Sequence, residues 1–560
     1  MPRPLVIGGS DFRKLRRSGA AYVDKTGFVA EALSVPDEVL LFTRPRRFGK
    51  TLNLSTLRYF LERSDEDRAP LFDGLALGQH DALFTSHHGR YPVIWLTFKD
   101  VKAASFDDCL TTTRNLLRRE VNRLSGDLDA DSFAELRRAL SSEAAAPDTE
   151  EALLRLSAAL ERRHGQGVCI FIDEYDTPIH AAVAGGYYDS AIGFFRNLLS
   201  AGLKDNPHLY RGFLTGILRV AKESLFSGLN NLLVYTATAQ RFATGFGFTD
   251  DEVGELAAEQ ELAAELDNLR TWYDGYRFGG VTIYNPWSVV NYLRHPGEGF
   301  KPYWEDTSDN SLLRELLLDR AVSGYQELEE LLAGRAVEAT IADTVVLRDL
   351  ARQPGALWTF LLHLGYLRGE RVEGAEPGAS SDRFRLQIPN REVRRTYETV
   401  FRGWLEAGLG GGAQARRLAS ALLAGDAAEV ERLLGTLVAT VLSYHDPAGS
   451  RPERVCHAFL LGLLVTLEPD YEVRSNRKSG YGRVDIVIRP RTGTGPGVIV
   501  ELKTADHDEM DAQLDAALAQ IRERRYAVEL ATGGADPIHL VAAVFAGKRV
   551  AVRAAAHAPT

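Results

Sequence analysis

The chain has 560 residues, 45% of them hydrophobic and 25% charged, and a formal net charge of −10. That length implies roughly two to four domains, and the composition is that of a globular protein in water. It excludes a protein that coats nucleic acid with its whole surface, although a local basic groove stays open because steering depends on the local field. No apolar run approaches the ~20 residues needed to span a bilayer, so no membrane partner is expected. Met1-Pro2-Arg3-Pro4 lacks the apolar core of a signal peptide. Cys109, Cys169 and Cys456 offer neither a disulfide framework nor paired zinc spacing, and a cytoplasmic location is expected.

In chain order, residues 1–38 predict a short helix followed by Tyr22-Val23-Asp24-Lys25-Thr26. A strand follows at Val39–Phe42, then a loop, a helix from Thr51 to about Leu61, and a strand at Val93–Phe98. Apolar spacings of three and four predict helix over residues 107–163. Further strands fall at Val168–Ile172, Gly212–Thr215 and Leu232–Thr236. Short apolar strands separated by helices indicate a parallel sheet covered on both faces. Thr249-Asp250-Asp251-Glu252 is a capping box that opens an acidic helical segment over 250–270. Residues 286–445 predict mostly helix, with a buried helix at Leu357–Leu367 and a hinge or loop at Gly408–Ala415. From Glu453 a helix precedes strands at Tyr471–Arg474, Arg483–Ile488 and Val498–Leu502, the last two joined by a hairpin loop. A last helix is expected near Asp508–Arg525, and Ala554–Thr560 is expected to be disordered.

A phosphate-binding loop needs converging backbone N–H groups, a helix N-terminus, a lysine and a hydroxyl for magnesium. Gly49-Lys50-Thr51 has the last three in order, just after an apolar strand, while Arg44 stands where the usual first glycine would be. The tripeptide alone is a weak signal. Five apolar residues leading into Asp173-Glu174 strengthen it: Asp173 suits the magnesium shell with Thr51, and Glu174 suits a general base on the attacking water. The competing reading is a buried strand with an acidic cap. Expected nucleotide contacts are Arg44, Arg46, Arg47, Phe48, Gly49, Lys50, Thr51, Asp173, Thr215 and Arg219. Thr215 reads either as a γ-phosphate sensor or as a hydroxyl satisfied by backbone. Arg219 reads either as an arginine finger or as a surface arginine.

A second acidic pair lies far down the chain, in Gly482-Arg483-Val484-Asp485 and Val500-Glu501-Leu502-Lys503. A metal-dependent nuclease places an aspartate on one strand and Glu-x-Lys on its neighbour. The carboxylates hold Mg²⁺ or Mn²⁺, and the lysine orients the attacking water. Glu501 and Lys503 differ by two and share a face. Glu453, four residues before His457 on the expected helix, is a further candidate metal ligand. Arg474, Arg477, Lys478, Arg483, Arg489 and Arg491 surround Asp485 as a basic stripe, read either as a phosphodiester-binding surface or as a solvated hairpin.

These residues carry a family resemblance. Tyr22–Thr26, Arg44–Thr51, Phe171-Ile172-Asp173-Glu174-Tyr175-Asp176, Ser227–Asn231 and Phe246–Thr249 resemble the AAA-ATPase-like family. So do Trp272-Tyr273-Asp274-Gly275-Tyr276, Tyr284-Asn285-Pro286 and Ile388-Pro389-Asn390. Its members couple a P-loop ATPase domain to a C-terminal PD-(D/E)xK nuclease domain. The resemblance makes the missing glycine a family trait. It implies an AAA-type sheet, with the Thr215 strand between those leading to Lys50 and Asp173. It also likens Gln520 and Tyr526 to a trailing-helix motif that contacts substrate backbone. Lys478-Ser479-Gly480 stands where relatives have Glu-Ser-Gly.

The expected architecture is α/β. It comprises a P-loop parallel-sheet ATPase domain with a helical lid (1–285), a mostly helical connecting region (286–445) and a restriction-endonuclease-like α/β domain (446–553). The expected function is ATP binding and hydrolysis coupled to Mg²⁺-dependent cleavage of nucleic acid, DNA in particular, in mobile-element or defence biology. The expected partners are nucleic acid and a homo-oligomer or protein partner. Two alternatives stay open: a nucleotide-dependent switch or scaffold that binds nucleic acid without cutting it, and a signalling ATPase that recognises a protein.

Overall fold

The computed structural model describes residues 2–204, 206–219, 225, 231–304, 325–342, 354–372, 382–444, 462–463, 465–467, 470–479, 482–492, 494–523 and 527–557. They divide into two compact units: Met1–Ser308 with Ala336–Val393, and Asp309–Arg335 with Arg394–Thr560. Residues 286–445, expected as one connecting region, are shared between the two.

The first unit is built on five parallel strands: β1 (Val39–Thr43), β2 (Val93–Thr97), β3 (Val168–Asp173), β4 (Leu209–Gly216) and β5 (Leu232–Tyr235). Their order is β2-β3-β4-β1-β5, so the strand bearing Thr215 does lie between those leading to Lys50 and Asp173. Every residue of β1 and β3 is buried, as expected of central parallel strands covered on both faces. Parallel pairing brings the C-terminal ends of β1, β3 and β4 to one edge. There Phe42 pairs with Thr215 and Ile172 with Leu214. Loops that leave this edge are where α/β sheets bind ligands.

The Thr249 capping box forms as expected: its hydroxyl accepts from Glu252 N–H, and Glu252 reaches back to Thr249 N–H. A short hairpin of β6 (Tyr276–Phe278) and β7 (Val281–Ile283) follows. The middle region is mostly helical, as expected, with helices at Pro286–Arg294, Tyr325–Leu332, Pro354–Leu364, Arg391–Leu409, Gly412–Ala424 and Ala427–Tyr444. An antiparallel sheet runs through it, ordered β8-β10-β9, from β8 (Val337–Ile341), β9 (Arg368–Arg371) and β10 (Asp382–Gln387). The period of two in β10, with Phe384 and Leu386 buried between polar neighbours, is the signal for a half-buried strand.

The second unit centres on a mixed sheet in the order β11-β12-β13-β14-β15. Its strands are β11 (Tyr471–Ser479), β12 (Gly482–Pro490), β13 (Gly495–Thr504), β14 (Ala535–Ala546) and β15 (Arg549–Ala556). The Met510–Glu523 helix covers one face, where Leu514, Leu518 and Ile521 pack with Ile499, Leu540 and Val544. The Gly412–Ala424 helix ends against the other face, with Gly425 abutting His539, the neighbour of Leu540. The expected disorder from Ala554 is corrected in part, because Ala554–Ala556 pair with Val541, Leu540 and His539.

Candidate functional site

The loop after β1 turns sharply into the Lys50–Leu61 helix. Arg47 has φ 70° and Gly49 φ 81°. Only glycine adopts such angles freely, so Arg47 is held there by its surroundings. Phe48, wholly buried, anchors the loop against the Tyr276 and Phe278 rings, 4.9 and 5.1 Å between centroids. Lys50 Nζ donates to the carbonyls of Arg44 (3.0 Å) and Pro45 (2.8 Å). Burial pushes its pKa down to about 8, against the pull of Glu174 and Asp173.

Thr51 Oγ1 donates to Asp173 Oδ2 at 2.8 Å, and Thr215 Oγ1 donates to Asp173 Oδ1 at 2.5 Å. Two hydroxyls from two elements therefore converge on one carboxylate that is 2% exposed. Glu174 follows with φ 52°, and its Oε2 accepts from Thr177 Oγ1 at 3.3 Å. A cavity of about 520 Å³ opens in front of these groups. Arg46, Arg47, Gly49, Lys50, Thr51 and Glu174 line its polar side, and Leu5, Ile7, Val23, Phe248 and Trp287 line its apolar side. The size suits a small-molecule ligand. An ammonium, a helix N-terminus and a hydroxyl–carboxylate pair form the donor set that a nucleotide triphosphate and its magnesium require.

Not every expected contact faces this cavity. The Arg44 side chain is wholly buried, donates to the carbonyls of Thr43, Tyr235 and Phe242, and lies 4.9 Å from the Phe246 ring centroid. It braces the interior, and the loop presents only its carbonyl. Asp173 and Thr215 are buried and are not among the residues that line the cavity. Arg219, partly exposed three residues after β4, is not among the described residues lining the cavity.

Three groups were given no role from sequence, although Asp176 and Lys25 lie within motifs that carry the family resemblance. Asp176 Oδ2 accepts from Ile217 N–H (2.8 Å) and Leu218 N–H (2.9 Å), tying the β3 exit to the β4 exit. Trp287 carries the Arg47 guanidinium 4.1 Å from its ring centroid. Lys25 lines the cavity while its Nζ bonds Glu252 Oε2 at 2.6 Å, which gives the capping-box acid a second role. The β3–β4 tie leaves no room at Gly216, where a Cβ would fall 2.5 Å from the Tyr175 ring. Gly216→Ala is therefore expected to destabilise the protein by about 1–3 kcal/mol through overpacking. Thermal unfolding reads this directly; an unchanged melting temperature would show that Tyr175 yields freely.

In the second unit, β12 pairs antiparallel with β13, Ile486 opposite Val500. Asp485 and Glu501 each stand one residue beyond that last pair of the ladder. Asp485 Oδ2 accepts from Leu502 N–H at 2.8 Å, and Lys503 Nζ bonds Glu501 Oε1 at 2.8 Å. Gln520, from the Met510–Glu523 helix, also donates to Glu501 Oε1. Two carboxylates and a lysine at the end of this strand pairing are a donor set suited to a divalent ion beside a phosphate. Among the described residues, no group of three or more His, Cys, Asp or Glu is placed to hold a metal. Glu453, His457 and Tyr526 lie outside the described residues. The basic stripe is less free than its sequence implies, because Arg474 and Arg489 both pair with Glu472. The side chains of Arg477, Lys478 and Arg483 lie outside the described residues.

Residues 6–226 match the predicted AAA-ATPase family, and residues 451–554 match the PD-(D/E)XK nuclease superfamily. The two matches give the architecture of an AAA-ATPase-like region followed by a C-terminal PD-(D/E)XK nuclease-superfamily region. It is also similar to the uncharacterized protein in the vnfD 5' region of Azotobacter chroococcum mcd 1, with 27% identity over 97% of this chain and 96% of that protein. Among the described residues no helix is long and apolar enough to cross a membrane.

Proposed function

We propose that the chain binds and hydrolyses ATP in the first unit and, in the second, cleaves DNA with the help of a divalent ion. The observation that carries the ATP reading is the convergence of Thr51 and Thr215 on Asp173 beside Lys50. In this reading the amides at the start of the Lys50–Leu61 helix and the Lys50 ammonium bind the phosphates. Arg46 and Arg47 face them from the loop. Thr51 and Asp173 hold Mg²⁺, which when bound neutralises phosphate charge. Glu174 accepts the proton of the attacking water. Thr215 fixes the Asp173 carboxylate, and Arg219 stays a candidate for a partner's site in a homo-oligomer.

In the second unit Asp485 and Glu501 hold Mg²⁺ or Mn²⁺, with Glu453 as a further candidate ligand. The ion supplies Lewis acidity at the scissile phosphate, and Lys503 orients the attacking water. Gln520 holds the Glu501 carboxylate in place. A cytoplasmic enzyme acting on foreign or mobile DNA fits this pairing of domains.

Glu174→Gln separates binding from chemistry, because it keeps shape and removes the base. Nucleotide affinity should stay within about twofold while hydrolysis falls by ~10²-fold or more, the usual contribution of a general base. Titration calorimetry and phosphate release measure the two. Equal hydrolysis by Glu174→Gln and wild type would remove Glu174 from the mechanism.

A further inference from the structure

Three motifs of the first unit take no part in the chemistry above: Trp272–Tyr276, Tyr284–Pro286 and Ile388–Asn390. They meet at one place. Gly275, at φ 94°, lies so close to Pro389 that a Cβ would come within 2.2 Å of its carbonyl oxygen. Asn390 Nδ2 donates to Asp274 O at 2.7 Å, and Asn390 Oδ1 accepts from Val393 N–H at 3.0 Å, in the first turn of the Arg391–Leu409 helix. Asn285 Oδ1 accepts from Trp287 N–H at 3.0 Å and starts the Pro286–Arg294 helix.

These contacts bring Glu392, wholly buried, to the back of the phosphate loop. Its carboxylate accepts from Ser288 Oγ at 2.8 and 2.9 Å, and from Trp304 N–H at 2.9 Å. Both neighbours lead to the loop. The Trp304 indole N–H donates to Arg46 O at 3.3 Å, and the ring of Trp287, next to Ser288, carries the Arg47 guanidinium. Two short bridges thus join one carboxylate to two adjacent loop residues. Gly365, at φ 88°, closes against Pro45 on the same side, where a Cβ would come within 3.0 Å.

We infer that Glu392 is a positioning residue: it sets the Arg46–Arg47 segment of the phosphate loop and carries occupancy of that loop into the Arg391–Leu409 helix. This rests on the nucleotide reading above. A phosphate competes with the Trp287 ring for the Arg47 guanidinium, and a charge-assisted hydrogen bond outweighs a cation–π contact. Arg47 leaving Trp287 changes the packing of the residue beside Ser288, and so the hold on Glu392. From Arg394 onward the helix is counted with the second unit, so it spans one of the three points at which the chain passes between the two. Coupling of this kind is reciprocal: restraining the helix should alter nucleotide affinity by the same factor.

The test uses the full chain and the slowly hydrolysed analogue ATPγS with Mg²⁺. Calorimetry gives binding, and hydrogen exchange of residues 391–409 gives the response. Wild type should bind and change its exchange in this segment by about fivefold, within the usual range of allosteric coupling. Ser288→Ala and Trp304→Phe should still bind and lose most of that change. Glu392→Gln should do the same where thermal unfolding shows it folded, and the other two variants decide the matter where it is not. Binding without an exchange response in wild type, or a full response in both Ser288→Ala and Trp304→Phe, overturns this inference and leaves the nucleotide site standing. No binding by wild type overturns both.

Discussion

Lys50→Ala is expected to weaken ATP binding by ~10²-fold or more, since a hydrogen bond to a charged group contributes about 1.5–3 kcal/mol and the ammonium can serve two phosphates. The pH dependence is a sharper signature. Burial lowers the Lys50 pKa to about 8, so the free protein carries the ammonium below that value and the neutral amine above it. Phosphate binding selects the ammonium. Affinity should therefore be full below about pH 8 and fall above it by up to about tenfold per pH unit. Folding stability should respond with the opposite sign. Between about 8 and the ordinary value of 10.5 the unfolded chain binds the extra proton, so this group's contribution to stability rises with pH. Lys50→Arg, which stays charged, should flatten the affinity profile. A wild-type affinity that is level from pH 7 to 9.5 would contradict the role given to Lys50.

Asp485→Ala is expected to abolish divalent-ion-dependent cleavage, a loss of ~10³-fold or more, because the ion supplies several kcal/mol of transition-state stabilisation. Lys503→Ala should retain ion binding and lose ~10²-fold in rate, the lower end for a group that manages a proton. ATP hydrolysis should survive both changes, since Lys50, Asp173 and Glu174 belong to the other unit. Manganese binding, read by paramagnetic relaxation of water protons, separates the two variants: it should weaken in Asp485→Ala and persist in Lys503→Ala. Equal binding in both would show that Asp485 is no ligand.

The parts legible in sequence were those with local signals. Continuous apolar runs announced β1 and β3, and the carboxylates after Ile172 marked the sheet edge. A turn-rich break between two apolar stretches announced the β12–β13 hairpin, whose register ends at Ile486 and Val500, next to Asp485 and Glu501. The sheet order came from family resemblance, because periodicity carries no information about which strands are neighbours. The rest depends on contacts distant in the chain. Arg44 reads as a phosphate ligand until Phe246 and Phe278, more than two hundred residues away, enclose it. Arg474 and Arg489 read as free cations until strand pairing sets Glu472 opposite Arg489. β14 carries the same signal as β1 and β3, a run from Leu540 to Ala546 that is apolar and buried throughout, yet it lies outside the strands expected from sequence.

Coupling of the two chemistries is tested most directly by one assay. Supercoiled, linear and single-stranded DNA are incubated with wild type, Lys50→Ala and Asp485→Ala, with Mg²⁺ or Mn²⁺, and with or without ATP. Wild type is expected to cut at least one of these substrates, with a rate that changes when ATP is added. Lys50→Ala should lose the ATP response, and Asp485→Ala should not cut while still hydrolysing ATP. Robust ATP hydrolysis by wild type with no cleavage of any substrate, or cleavage by Asp485→Ala at the wild-type rate, would contradict this expectation.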